Sequence, residues 1–309
     1  MNPALLLLTD SRLPAGGHAH SGGTEQVIAT GAVHDLASLA AFLRGRLRTS
    51  GHVAAALAAS ACALGKESSR TEACARARSQ ESSGTEGSAR ARPEALGALW
   101  SLLDAEADAR TASPAQRTAS RTQGRLLLRV ARRLWPSPTV DDLTAGPNPG
   151  HPVALDDLAA GVPNRRHAAA LDHLALAVPN PHHPIALGAA AHAAGGSPED
   201  AALAAAYHAI TGPATAAVRL LGLDPVAVHG LLADLASALA ATASDATPSD
   251  LPPDLATAAS DITPSDLTTT ASDATGYGRL WAELPARSAP ALDLLAERHA
   301  GAKVRLFVS

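Results

Sequence analysis

The chain has 309 residues, a formal net charge of −4 at pH 7, and 46% apolar residues, while aromatic residues make up only 2%. The slight acidic excess provides no electrostatic footprint for nucleic acid, and the two cysteines are too few for a disulfide framework. No apolar run is long and uncharged enough to predict a membrane span, and the N-terminal run is too short for a signal peptide. Because alanine and leucine dominate the apolar residues, the composition predicts an all-α, soluble, cytoplasmic protein.

The first feature along the chain is a turn-prone segment from Asp10 to Glu25, which contains four glycines, a proline, two serines and two histidines. Clustered glycines permit positive φ angles and the close approach of another backbone. Ser21 is expected to cap a helix that begins near Glu25. So many conformational constraints in so few residues predict a docking surface or a ligand loop rather than a spacer.

Helical periodicity follows along the rest of the chain. Asp35 is a helix start signal, and leucines recur at helical spacing from Leu36 to Leu47. This pattern predicts a helix that continues to Leu64. Further helices are predicted over residues 95–109, 113–135, 201–210, 212–221, 224–240 and 289–299. Together these segments predict a single domain over residues 1–309, a bundle of roughly eight to ten helices.

Three low-complexity segments interrupt this pattern: residues 65–93, 143–181 and 241–278. The first holds two copies of a repeat rich in charged residues, the second holds three copies that each begin with Pro-Asn, and the third is acidic and rich in Pro, Ser and Thr. Because the three repeats share no sequence with one another, they do not predict a solenoid. We interpret the first as an inserted repeat or linker, the second as an inserted repeat, and the third as a solvated linker.

Five patches of sequence, in the same order along the chain, resemble the urease accessory family UreF. They are Leu5–Glu25, Ser120–Arg125, the run His182-His183-Pro184-Ile-Ala-Leu-Gly188, Ala214–Leu223, and Val304–Ser309. The patches and the sequence between the insertions cover roughly two thirds of the chain, and their order makes the resemblance far more specific than any single motif. The resemblance implies an all-helical fold and a role in urease maturation.

The resemblance also implies partners. Proteins of this family bind the accessory protein UreD (also called UreH), recruit the GTPase UreG, dock on apo-urease and are usually homodimers. They are not enzymes and hold no permanent cofactor, since nickel is handled by the complex. The expected partner-binding residues are Pro14, Gly16, Gly17, His18, His20, Ser21, Gly23, Glu25, Arg305, Leu306, Phe307 and Ser309. Residues that match the family pattern without an assigned role are Arg121, Gly124, Arg125, His182, His183, Pro184 and Arg219.

The residues offer few signals for chemistry. His18 and His20 are weak candidates for nickel ligands, because no third ligand lies nearby in the sequence. The pair His182-His183 is interpreted as ordering the turn before a helix, and the acidic run from Asp104 to Asp108 is interpreted as a solvated helix face. No P-loop, nucleophile elbow or zinc-protease motif occurs, so no catalytic residue is assigned. A general helical interaction scaffold unrelated to urease is the alternative function, and a histidine-based metallohydrolase is a third, disfavoured one.

Overall fold

The computed structural model describes residues 3–10, 13, 23–81, 91–137, 167–247, 281 and 284–302, and only the backbone of residues 3, 73–81 and 91–95. Within these ranges the chain forms helices and no strand, which confirms the all-α class. The helices are α1 (Pro3–Thr9), α2 (Thr24–Ala29), α3 (Leu36–Arg46), α4 (His52–Glu81), α5 (Ala91–Ala109), α6 (Pro114–Leu134), α7 (Ala169–Ala177), α8 (His183–Ala193), α9 (Pro198–Leu221), α10 (Pro225–Asp234), α11 (Ala236–Ala246) and α12 (Pro290–Ala300). A π-helical turn (Leu47–Gly51) joins α3 to α4, so a continuous helix runs from residue 36 to residue 81.

Helix α8 lies at the centre of the bundle. Every residue from Ile185 to Ala193 is buried, and the helix packs against α4, α6, α7 and α9. Small side chains allow this close packing: a β-carbon on Gly188 would lie 2.2 Å from the carbonyl oxygen of Ala58 on α4. Because alanine side chains are small, the alanine-rich composition allows the helix backbones in the core to lie near one another.

The helix boundaries follow capping signals in the sequence. Asp35 and Ser197 each accept a hydrogen bond from the backbone three residues later within a capping box, and Ser113 accepts one from Gln116. The expectation for Ser21 differs, because α2 begins at Thr24 and its N-cap is Gly23, with φ of 84° and no side-chain cap. Glycine adopts this left-handed conformation without strain, so the backbone rather than a serine hydroxyl sets the start of α2.

Helix α9 is a single helix, whereas the sequence predicted two helices separated near Gly212. Proline lacks an N–H, so Pro213 leaves the carbonyl of Ala209 without its usual helical donor. Arg46 replaces that donor, because its Nε lies 2.8 Å from the Ala209 oxygen. A side chain from another helix thus satisfies the acceptor that the proline leaves free, and the helix continues through Pro213.

The segment from Pro225 to Ala246 forms two helices rather than the predicted single one, with a bend of 46° between them. Leu235, at the bend, is buried. Within the described residues no single helix is both long and apolar enough to cross a membrane. Only α10 and α11 taken together reach the necessary length and apolarity, and they are separated by this bend.

The low-complexity segments are described only in part. Helix α4 continues to Glu81 through the first half of the segment 65–93, and Ser68 and Thr71 are buried there. That half is rich in helix-forming Ala, Arg and Glu and contains no proline, so it extends the preceding helix. In the segment 143–181, helix α7 and the turn after it are described, while most of the acidic segment lies outside the described residues.

Candidate functional site

Two of the family-like motifs contact each other directly. Gly124 on α6 faces the turn that precedes α8, and a β-carbon on it would lie 2.0 Å from the Pro181 carbonyl oxygen and 2.9 Å from the His183 nitrogen. Only glycine allows the two backbones to come this close. The motif around Gly124 and the motif that begins at His182 therefore form one site.

His182 forms hydrogen bonds through its backbone nitrogen and through both nitrogens of its ring. Its side chain is 1% exposed, and its backbone nitrogen donates to the Asp104 carboxylate at 2.8 Å. Its Nε2 lies 2.8 Å from Asp108 Oδ1, and its Nδ1 lies 3.0 Å from Ser120 Oγ. The Ser120 hydroxyl also accepts from the His183 nitrogen at 3.1 Å. A neutral imidazole with its proton on Nε2 satisfies all these contacts, because the carboxylate accepts and the serine hydroxyl donates to Nδ1.

Arg121 joins both carboxylates to the turn. Its Nη1 lies 2.9 Å from Asp104 Oδ2, and its Nη2 lies 2.6 Å from Asp108 Oδ2. Nη1 also donates to the carbonyl of Asn180 at 2.7 Å. The guanidinium therefore connects α6 with α5 and with the turn that leads into α8, through charge-assisted hydrogen bonds.

The acidic run on α5 is only in part the solvated face that its sequence indicated, because Asp104 is buried while the Asp108 side chain is 42% exposed. Asp104 is 4% exposed, and Asp104 and Asp108 point to the same side because residues four apart share a helix face. Glu106 forms an ion pair with Arg110 instead of facing water. The i, i+4 spacing of the two aspartates was the available signal for this arrangement, and the alternating pattern of the run obscured it.

The surroundings of Asp108 and His182 shift the pKa values of both side chains. Burial alone would raise the pKa of Asp108, but hydrogen bonds from His182 and Arg121 outweigh it and hold that pKa below its ordinary value. Burial lowers the pKa of His182, and the bond to Asp108 opposes that effect only in part. At neutral pH the site therefore contains a neutral imidazole and an ionised Asp108 paired with Arg121.

Asp104, Asp108 and His182 offer ligand atoms that all lie within 4.8 Å of one another, the one such group of three in the described part of the chain. The donor set does not fit a metal site as it stands, because the guanidinium of Arg121 already binds both carboxylates. A cation there would also face the positive charge of that guanidinium. We therefore interpret the cluster as a structural network that fixes α5, α6 and α8.

The remaining residues with unassigned roles lie around this network. Pro184 occupies the first turn of α8, where a proline is tolerated, and the ring of His183 lies 5.6 Å from that of His208 on α9. Arg125 and Arg219 are exposed on α6 and α9. The family-like middle motifs therefore lie on or next to α6, α8 and α9, and α8 packs against both of the others.

The two predicted partner segments lie mostly outside the described residues. Pro14, Gly16, Gly17, His18, His20 and Ser21 lie outside them, as do Arg305, Leu306, Phe307 and Ser309. The helices next to these segments touch: Glu25 on α2 pairs with His299 on α12 at 3.8 Å, and the Gln26 amide lies 3.3 Å from His299 Nδ1. Helix α2 directly follows the glycine-rich segment, and α12 precedes the C-terminal motif.

Comparison with known proteins places this arrangement in a family. Residues 33–236, which make up 204 of the 309 residues, match the sequence model of the UreF family. The chain belongs to the UreF family. The matched region contains the whole network of Asp104, Arg121 and His182, as well as Gly124 and Arg219.

Individual UreF proteins support this assignment. A protein named urease accessory protein UreF from Mycolicibacterium vanbaalenii is 45% identical over 144 residues, which is 47% of this chain and 54% of that protein. Proteins of the same name from Mycobacterium sp. and Mycobacterium marinum are each 42% identical, over 158 and 144 residues, or 50% and 47% of this chain and 58% and 53% of theirs. The chain thus spans about half the length of the curated relatives it matches.

Proposed function

We propose that this UreF-family chain is a non-catalytic scaffold for urease maturation. It acts with UreD/UreH and the GTPase UreG to insert nickel into apo-urease. The observation that carries the proposal is the family match over 204 residues together with relatives named as urease accessory proteins. Nickel is the cargo of the complex, and the chain holds no permanent cofactor.

The described site supports a scaffold better than an enzyme. An active site needs polar groups that are free to meet a substrate, with a nucleophile or base in reach. Here Asp104 and Asp108 each bind the Arg121 guanidinium, and both ring nitrogens of His182 are used by Asp108 and Ser120. These groups are used to hold helices together, which favours a protein whose output is a binding surface.

The segments Pro14–Glu25 and Arg305–Ser309 are the proposed partner surfaces. Glycine allows a partner backbone to approach closely, and Leu306 and Phe307 beside Arg305 are residues typical of interface anchors. The contact between Glu25 and His299 supports a shared surface, because it holds the helix after the first segment against the helix before the second. We propose that both segments bind the same partner, UreD/UreH.

The mechanism is a coupling of binding equilibria. A scaffold that binds one nucleotide state of a GTPase more tightly than another shifts the equilibrium between those states by the difference in affinity. UreG bound to the scaffold would then release nickel to urease as its nucleotide state changes. We also propose that the chain lies in the cytoplasm and forms a homodimer, as the resemblance to the family implies.

Co-purification tests the partner surfaces. We expect tagged UreD/UreH from the same source to retain the wild-type chain, and the double variant Arg305→Ala, Phe307→Ala to be retained at least about tenfold less. Arg44→Ala, at an exposed arginine of α3, is the matched control and should leave retention unchanged. Equal retention of the double variant and the wild type would contradict the role of the C-terminal segment.

A further inference from the structure

A cavity of about 590 Å³ lies beside the structural network, bounded by α1, α3, α4, α6, α9 and α12. Its volume falls within the range of small-molecule sites, about 300–1,000 Å³. Nothing in the scaffold role requires such a cavity. Its described lining includes four arginines (Arg46, Arg110, Arg219 and Arg287) and two aspartates (Asp10 and Asp293).

Two of the arginines have defined structural tasks. Arg110 pairs with Glu106 and donates to the carbonyls of Trp281 and Leu284, so its charge is already compensated. Arg46 donates to the Ala209 carbonyl, and burial lowers its pKa to about 10, which leaves it charged at neutral pH. Arg110 and Arg46 therefore form part of the cavity wall, and we do not assign them a role in binding a ligand.

The other two arginines have donors to spare. Within the described residues Arg219 makes no hydrogen bond or ion pair, and Arg287 donates only to the backbone carbonyl of Arg48, at 3.2 Å. Both are exposed, so they lie where the cavity meets solvent. Cationic donors without acceptors favour a ligand that supplies acceptor oxygens.

The two aspartates of the lining, Asp10 and Asp293, oppose this preference only in part, because an excess of one positive charge remains after Glu106 compensates Arg110. Asp293 accepts a hydrogen bond from the Gln116 side-chain amide at 3.2 Å on the α6 side of the cavity. Burial lowers the pKa of His208 to about 4, so this ring is neutral at neutral pH and adds no charge. The arginine excess therefore opposes a free metal cation in this cavity and attracts an anion.

The rest of the wall is mixed, with polar side chains such as Gln123 and Thr215 beside a larger apolar surface. Leu8, Val53, Leu57, Leu127 and Leu292 all line the cavity. A fully hydrated inorganic ion would leave these apolar side chains in contact with water, whereas the apolar part of an amphipathic molecule would cover them. We propose that the cavity binds an organic anion, a carboxylate or phosphate monoester on an apolar body, and that Arg219 and Arg287 pair with its anionic group.

Ligand binding to the full chain tests the proposal with three probes of equal apolar length: octanoate, octyl phosphate and the neutral octanamide. We expect isothermal titration calorimetry to detect one or both anions, and octanamide to bind at least about tenfold more weakly, since a charge-assisted hydrogen bond is lost. Binding of octanoate or octyl phosphate alone would identify the head group as a carboxylate or a phosphate.

Arg219→Gln and Arg287→Gln should each weaken anion binding about tenfold, because each removes one cationic partner. Arg298→Gln, at an exposed arginine outside the cavity lining, is the matched control and should bind like the wild type. The two cavity variants change exposed side chains, so circular dichroism should show them to be folded. Failure of both anions to bind, equal affinity for octanamide, or unchanged affinity in both variants would overturn the proposal.

Discussion

Helix α6 passes so close to Pro181 that a β-carbon on Gly124 would lie 2.0 Å from the proline's carbonyl oxygen. This contact sets the distance between α6 and the turn before α8. It therefore also sets the position of His182, whose ring reaches Ser120 and Asp108 only from this turn. The stability of the site therefore depends on the absence of a side chain at Gly124.

Gly124→Ala should destabilise the protein by about 1–3 kcal/mol or more, because the added methyl group must displace backbone atoms. Gly45→Ala is the matched control: a β-carbon there has no atom within 4 Å, and alanine is the better helix former. The control should be neutral or stabilising by up to about 1 kcal/mol. Urea denaturation of both variants measures the difference, and equal stability would show that the close contact is wrong.

Arg121→Gln should destabilise the protein by about 1–3 kcal/mol, because it leaves the buried Asp104 carboxylate without its cationic partner. Arg129→Gln, at an exposed arginine on the same helix, should change stability by less than about 0.5 kcal/mol. Denaturant midpoints at pH 7 provide the comparison. If Arg121→Gln lost no more stability than Arg129→Gln, the proposed role of Arg121 in the network would be contradicted.

Arg46 and Pro213 should be energetically coupled through the Ala209 carbonyl. Arg46→Gln in the wild type leaves that acceptor without its donor and should cost about 1–3 kcal/mol. In the Pro213→Ala background the alanine N–H can bond to the same carbonyl, so the cost of Arg46→Gln should fall by roughly 1 kcal/mol. A double-mutant cycle by urea denaturation measures this coupling, and strict additivity would exclude it.

Stability should decrease in mild acid because of His192. This ring is 4% exposed, lies 4.7 Å from the ring of His167, and its Nε2 lies 2.9 Å from Ser69 Oγ. Burial first, and the nearby His167 and Lys66 next, lower the pKa of His192 to about 3 from its ordinary 6.5. Between these values the unfolded chain binds a proton that the folded chain excludes, so stability is fully present above pH 6.5 and falls as the pH drops.

The slope should reach up to about 1.4 kcal/mol per pH unit for this one histidine. His192→Gln should flatten the profile between pH 6 and pH 4 by about that amount per unit. His229→Gln, at an exposed histidine on α10, should leave the profile unchanged. Unfolding midpoints measured across this pH range decide the matter, and identical profiles for the wild type and His192→Gln would rule out the assignment.

Several helix starts were predictable because their signals are local. Capping residues such as Asp35, Ser113 and Ser197 mark helix starts, and leucine spacing marks the buried faces. The continuity of α9 was not predictable, because the donor that rescues the Ala209 carbonyl comes from Arg46, 163 residues away in the sequence. Proline is a reliable local break only when no distant group compensates for it.

The candidate site was predictable only in pieces. The motifs around Gly124 and His182 were recognised, but their contact depends on how α6 packs against the turn before α8. Asp104 and Asp108 were missed, because their i, i+4 spacing places them on one face of α5 but does not show that this face meets Arg121 and His182. Tertiary packing decides whether an acidic residue faces water or the guanidinium of another helix.

Urease maturation in a reconstituted host is the most direct test of the central claim. Apo-urease, UreD/UreH and UreG from the same source should be co-expressed with and without this chain, and the nickel content and activity of the purified urease measured. We expect urease made without this chain to contain little nickel and to be inactive, and we expect addition of the chain to restore both. Full nickel content and activity without the chain, with the other proteins verified as present, would contradict that claim.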